Sequence, residues 1–335
     1  IQRYPAASNT FSQQSQKASP ATPLMPDIYE KHGKIDFLRG HHVSLEAGLC
    51  ERAEALIDPT TIFMGEMDMS LKIDITNHIL TITLNRPEAR NAVDPETVLE
   101  LVDIWTRYRD DRELRCAILT GAGDKTFCSG ADLAKLIPLF TGARKPETEA
   151  DKAVSKNGML AQQAFLRDFE LNKPLIAAIN GDAIAGGMEL LYSTDIRIAS
   201  NKARFGLQEV KWAIFPMGGS TVRLPRQLPF AKTMELLLTG ELMDAEEAWR
   251  LGFVNVLCEP DEVLERARAV AETIIKNGPL AVSAVKRSVL ASFGRPISEG
   301  LAKELEFGIP VFLSKDAQEG PRAFKEKREP VYRGE

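Results

Sequence analysis

Asn180-Gly181-Asp182-Ala183-Ile184-Ala185-Gly186-Gly187-Met188-Glu189 is the stretch on which the reading of this chain turns. The apolar run Pro174 to Asn180 before it reads as a buried strand. Gly186 to Tyr192 reads as a helix entered through two glycines, and Asp195 to Ala199 as the next strand. A second glutamate, Glu209, closes Phe205-Gly206-Leu207-Gln208-Glu209, 20 residues beyond Glu189. That gap holds a helix, a short strand and a return. Upstream, Phe127-Cys128-Ser129-Gly130-Ala131-Asp132-Leu133 offers backbone N–H groups at a strand-to-helix junction. Two carboxyl groups and two loops of free N–H donors suit acid–base chemistry beside a polarised carbonyl.

Leu71 to Thr76 and His78 to Leu84 alternate apolar and polar residues around Asn77-His78, which predicts a hairpin. Asn85-Arg86-Pro87 ends its second strand. Asp94-Pro95-Glu96 starts a helix, with Asp94 as N-cap and Pro95 at the first helical position. Arg115 to Thr120 is a further strand. The charged stretch Thr141 to Lys156 reads as a mobile surface insert, and Met159 to Asn172 as a helix. From Phe230 onward helices dominate: Ala231 to Leu238, Ala245 to Leu251, Asp261 to Asn277, Pro279 to Ser292 and Ile297 to Leu313. The pattern is an α/β core followed by a helical tail.

The chain has 335 residues, 44% of them hydrophobic and 27% charged, with a net charge of −5. That balance argues against a broad nucleic-acid surface. No apolar run approaches the roughly 20 residues of a membrane helix. The four cysteines, Cys50, Cys116, Cys128 and Cys258, fit neither a zinc pattern nor a disulfide framework, so they read as reduced thiols. A cytoplasmic setting follows, or an organelle matrix if the N-terminal segment is a transit peptide. Residues 1–66 are expected to form a poorly ordered extension with short helices around Val43 to Ile57. Residues 67–260 are expected to form the core, and 261–335 a helical region.

Several segments, in order, resemble the crotonase superfamily, the enoyl-CoA hydratase/isomerase group. They are Leu84-Asn85-Arg86-Pro87 with Asn91-Ala92, Thr120 to Gly123, Phe127 to Leu133, Lys173-Pro174 through Gly181, Gly186 to Leu190, Asp195-Ile196, Phe205-Gly206 with Glu209, and Pro216-Met217-Gly218-Gly219. The resemblance covers about Leu71 to Arg333. It implies a crotonase (ClpP-like) spiral of ββα units with a C-terminal helical trimerisation region, assembling as a homotrimer or a dimer of trimers.

The resemblance also implies the chemistry. A thioester carbonyl would sit between the N–H groups of Ala131 and Gly186. By analogy Glu189 would activate water and Glu209 would serve the α-carbon proton. The activity implied is reversible hydration of a trans-2-enoyl-CoA to a 3-hydroxyacyl-CoA. No metal or redox cofactor is called for, and coenzyme A arrives as part of the substrate. Ala89 and Arg90 would lie near the adenine, Lys135 near the phosphates, and Lys327 at a helix end that reaches CoA. Gly130, Asp132, Leu133, Pro216 and Met217 complete the expected substrate contacts, with Asp132 bracing the loop of Ala131.

Two departures bear on the acyl group. Met217 stands where glycine is frequent in the family, and Gln208 where many hydratases carry proline. Three rivals remain at this stage. One is a double-bond isomerase using Glu209 alone, and another a carnitinyl-CoA-type dehydratase. The third is a catalytically idle subunit that binds acyl-CoA or RNA.

Overall fold

The computed structural model describes residues 69–335. The expected N-terminal extension, with the short helices expected around Val43 to Ile57, lies outside the described residues. Two sheets carry the core. We number their strands β1 Leu71–Thr76, β2 Ile79–Leu84, β3 Cys116–Gly121, β4 Thr126–Cys128 and β5 Leu175–Ile179, then β6 Asp182–Ile184, β7 Ile196–Ser200, β8 Arg204–Gly206, β9 Met243–Asp244 and β10 Val256–Cys258. One sheet runs β1-β2-β3-β5-β7-β10, and the other β4-β6-β8-β9.

The hairpin forms as expected. Asn77 and His78 both take positive φ, at 50° and 65°. Two such residues are what a tight hairpin turn with the right strand twist needs. Beyond β2 every neighbour in the larger sheet is parallel.

Three successive strand pairs, β3/β4, β5/β6 and β7/β8, each place one strand in the large sheet and the next in the small one. Helices fill the returns, so the chain winds as a spiral of ββα turns. Side chains alternate between two cores. Ala117, Leu119, Ala177 and Ile179 face the space between the sheets with Phe127, Ala183 and Phe205. Cys116, Ile118, Ile176, Ala178 and Ile198 point the other way, onto Val263, Ala267 and Ala271 of the helix Val263–Ile275. Burial on both faces explains why these strands read as continuous apolar runs.

Two local expectations need correction. The stretch from Thr141 to Lys156 is anchored and largely helical. It spans the end of a helix over Ile137–Thr141 and all of a second over Glu149–Lys156. Thr148 and Asp151 form a reciprocal capping box, and buried Asp151 takes a fork of bonds from Arg144 at 2.6 and 2.7 Å. The helix begun at Met159 stops at Ala164, because Leu166 turns left-handed with φ 57°. Arg223, 57 residues further on, fixes that turn by donating to the Leu166 carbonyl at 3.2 Å.

The C-terminal helices differ in kind. Among them, Pro279–Ser292 and Ile297–Phe312 have no buried residue. Ile297, Leu301, Leu305, Ile309 and Phe312 stand exposed along one helix. A last helix, Lys315–Glu326, follows Ser314 as N-cap. No described helix is long and apolar enough to cross a membrane.

Candidate active site

Glu189 rides on the short helix Gly186–Leu191, entered from β6. The residue at the junction, Ala185, has φ 52°, a conformation that alanine adopts only under constraint. Its N–H donates to Gly206 and its carbonyl accepts from Met188 and Glu189, which lock the turn. The two glycines after it do different jobs. A Cβ on Gly187 would lie 2.0 Å from the Cys128 carbonyl oxygen, so Gly187 lets the helix press onto the end of β4. A Cβ on Gly186 would meet the Phe165 ring at 2.7 Å, and Gly186 itself lines the cavity.

The Ala131 loop is stitched from both sides. Val93 donates to the Gly130 carbonyl at 2.8 Å, and Asp132 donates to the Val93 carbonyl at 2.9 Å. In such a parallel bridge the residue between the two bonds turns its own N–H away from the partner strand. The Ala131 N–H therefore faces away from Val93, and Ala131 lines the same cavity as Gly186. Neither N–H donates to an acceptor among the described residues. The loops touch through Gly130, whose φ is +89° and where a Cβ would lie 2.7 Å from the Gly186 nitrogen.

Asp132 is a brace. It accepts from both Arg86 terminal nitrogens at 3.2 Å, and from the Ala134 and Lys135 N–H groups at 2.9 and 3.0 Å. Arg86 also reaches Asp94 at 3.2 Å.

The cavity holds about 670 Å³, in the range of small-molecule sites. Glu189 and Glu209 both line it, with Phe140, Phe165, Trp212, Phe215 and Met217 among their neighbours. Glu189 is 6% exposed. Its Oε1 accepts from the Gly218 N–H and from the Ser220 hydroxyl, each at 2.7 Å. A Cβ on Gly218 would lie 2.2 Å from Glu189 Oε2, so only glycine permits this approach.

Burial raises the Glu189 pKa above the ordinary carboxyl value, and the bonds from Ser220 and Gly218 oppose that rise. Glu209 starts the turn Glu209–Trp212, and its buried Oε2 has no hydrogen-bond partner among the described residues. Burial first, and the nearby Glu189 charge second, push Glu209 up to about 7.

The other expected contacts divide. Ala89, Arg90, Asp132, Leu133 and Met217 line the cavity; Gly130 and Pro216 are buried and are not among its lining residues. Lys135 stands outside the lining and pairs with Asp94 at 2.9 Å. Lys327, with φ 54°, ends the helix Lys315–Glu326 and is exposed. Asp195 supports structure: it accepts from the Leu175 N–H at 2.7 Å and from Lys286 at 2.8 Å. Sequence reasoning missed Ser220, Phe165, Trp212 and Phe215. Gly218-Gly219-Ser220 was the available signal, since a hydroxyl after two glycines can approach a buried carboxyl closely.

Comparison with known proteins gives the family. The family model for enoyl-CoA hydratase/isomerase matches residues 74–335. Enoyl-CoA hydratase EchA19 of Mycobacterium tuberculosis is 44% identical over 260 residues, 78% of this chain and 95% of that protein. The carnitinyl-CoA dehydratase of Proteus mirabilis is 41% identical over 272 residues, 80% of this chain and 100% of that protein. The crystal structure of an enoyl-CoA hydratase from Bacillus anthracis superposes with a TM-score of 0.72 at 36% identity, over 79% of this chain and 100% of that one. The chain belongs to the enoyl-CoA hydratase/isomerase family, the crotonase superfamily.

Proposed function

We propose that this protein is a hydro-lyase that adds water reversibly across the double bond of a trans-2-enoyl-CoA. The observation that carries this reading is the placing of two acid–base groups, Glu189 and Glu209, on one cavity with the main chain of Ala131 and Gly186. The thioester oxygen lies between the two N–H groups. As water attacks C3, negative charge moves onto that oxygen, and fixed donors stabilise it without reorganising. Glu189, supplied with donors at Oε1, rests ionised and takes a proton from the water. Glu209, short of donors and pushed up to about 7, is protonated in part at neutral pH, and that form gives its proton to C2. The O–H proton of water ends on Glu189 and the Glu209 proton on carbon, so the pair exchange states once per turnover and reset through solvent. Water addition is redox-neutral and the amides do the polarising, so the reaction asks for no cofactor beyond the CoA of the substrate.

The acyl group this cavity suits is apolar and uncharged. The other two carboxylates that line it are already paired: Asp132 with Arg86, and Asp182 with Arg204 at 2.6 Å. One observation favours a second reading, dehydration of a cationic acyl-CoA: Trp212 and Phe215 line the cavity, and aromatic rings can attract a quaternary ammonium. A homotrimer, or a dimer of trimers, would cover the apolar flanks of the C-terminal helices.

A panel of enoyl-CoAs in ¹⁸O-labelled water tests these points. Hydration with label at the β-carbon supports the proposal. A shift of the double bond without label would replace it with isomerisation. Preference for a trimethylammonium-bearing substrate would select the second reading.

A further inference from the structure

We propose that Ser220 is a positioning residue that holds Glu189 ionised and oriented, with Tyr192 acting behind it through the Ser220 hydroxyl. The inference rests on the hydratase reading above only for its kinetic consequences. Ser220 is fully buried, and Tyr192 and Glu189 are each 6% exposed. Buried polar groups in such a cluster must satisfy one another.

The distances give the order. Ser220 Oγ lies 2.7 Å from Glu189 Oε1, and Tyr192 Oη lies 3.3 Å from Ser220 Oγ. A carboxylate can only accept, so the single Ser220 proton goes to Glu189. Toward Tyr192 the Ser220 oxygen can then only accept, and the tyrosine donates. The chain of donors runs Tyr192 to Ser220 to Glu189. The Gly218 N–H meets the same Oε1 at 2.7 Å and cannot reverse. Two donors on one oxygen fix the carboxyl plane, leaving Oε2 to the reaction. Both favour the charged form against burial.

The other charged groups that face Glu189 are Arg167, which favours ionisation, and Glu209 across the pair. Behind Tyr192 stands Arg197, bonded to the Leu191 and Phe253 carbonyls and to Gln227. None of these reaches Oε1 by a hydrogen bond. Ser220 is thus the side chain through which Glu189 can be tuned.

The test is a pH titration of wild type, Ser220→Ala, Tyr192→Phe and the double variant. In hydration kinetics the acid limb of kcat/KM reports protonation of Glu189. Ser220→Ala should move it upward by about one pH unit and lower turnover at neutral pH by about 10–100-fold, with KM changed less than about twofold. Tyr192→Phe should move the same limb upward by less. In the Ser220→Ala background Tyr192→Phe should add nothing, since its effect passes through the missing hydroxyl.

Glutamate ¹³C-carboxyl resonances, assigned with Glu189→Gln, read the same shift without substrate. Absence of hydration by wild type would defeat the functional reading and leave this titration to decide the relay. A uniform loss at every pH with no displaced limb or resonance would overturn the proposal. So would an equal Tyr192→Phe shift in both backgrounds. Should Ser220→Ala not fold, Tyr192→Phe alone decides: an unmoved Glu189 titration contradicts the relay.

Discussion

Glu189 and Glu209 line one cavity in contrasting surroundings. Glu189 is met at Oε1 by a main-chain N–H and a buried hydroxyl, and its carboxyl is seated against Gly218. Glu209 sits on a short turn with one buried oxygen that no described residue reaches. Burial raises both pKa values, but donors oppose part of the rise at Glu189, and its charge adds to the rise at Glu209. The contrast teaches how a fold assigns roles to identical side chains. Donor-rich burial keeps a carboxylate charged as a base, and donor-poor burial keeps a carboxylic acid protonated near neutral pH.

The comparison breaks most visibly when either carboxyl is removed. Glu189→Gln and Glu209→Gln should each lower turnover of a 2-enoyl-CoA by about 10²-fold or more, measured at saturating substrate. Unchanged turnover in both would end the account. Gly218→Ala should come next, with a loss of about 10–10²-fold. Its Cβ would fall 2.2 Å from Glu189 Oε2 and push the carboxyl out of place. Circular dichroism should show the fold retained, and a wild-type rate would mean that the Glu189 pose is immaterial.

The pH dependence sharpens the contrast. Hydration needs Glu209 protonated, so kcat/KM should fall about tenfold per pH unit above a limb near 7. In Glu209→Gln that alkaline limb should vanish from the residual activity.

The smallest effect is on stability. The Glu209 pKa is higher folded than unfolded, so the folded state binds its proton more tightly. Its contribution to stability is present below the unfolded value of about 4.5 and is lost as pH rises through about 7. Above pH 7, Glu209→Gln should therefore melt above wild type by several °C, with a much smaller gain at pH 5. Equal melting at both pH values would mean that Glu209 is not held in a water-poor site.

What could be read from sequence, and what could not, follows the range of the interactions. β3, β5 and β7 were legible because strands buried on both faces are mostly apolar, with Arg197 the charged exception in β7, and end at or just before Gly, Asn or Ser. The cap at Asp94 was legible because its bond to the Thr97 N–H is local. Glu189, Glu209 and the two loops stood out through glycines whose neighbours leave no room for a Cβ. The segment 141–156 misled because surface charges hid a capping box and a buried Asp151. The helix end at Ala164 depends on Arg223, far along the chain, and no local pattern signals it. Ser220 had only the two glycines before it as a local signal, because its partners Glu189 and Tyr192 lie 31 and 28 residues away.

The division of labour between the carboxyls can be read without water addition at all. A saturated acyl-CoA in ²H₂O exchanges an α-proton only if the acid that serves C2 is present and the thioester enolate is stabilised. The account predicts that Glu189→Gln still exchanges that proton while Glu209→Gln loses the exchange by about 10²-fold or more. Equal loss in both variants, or loss in Glu189→Gln alone, would contradict it.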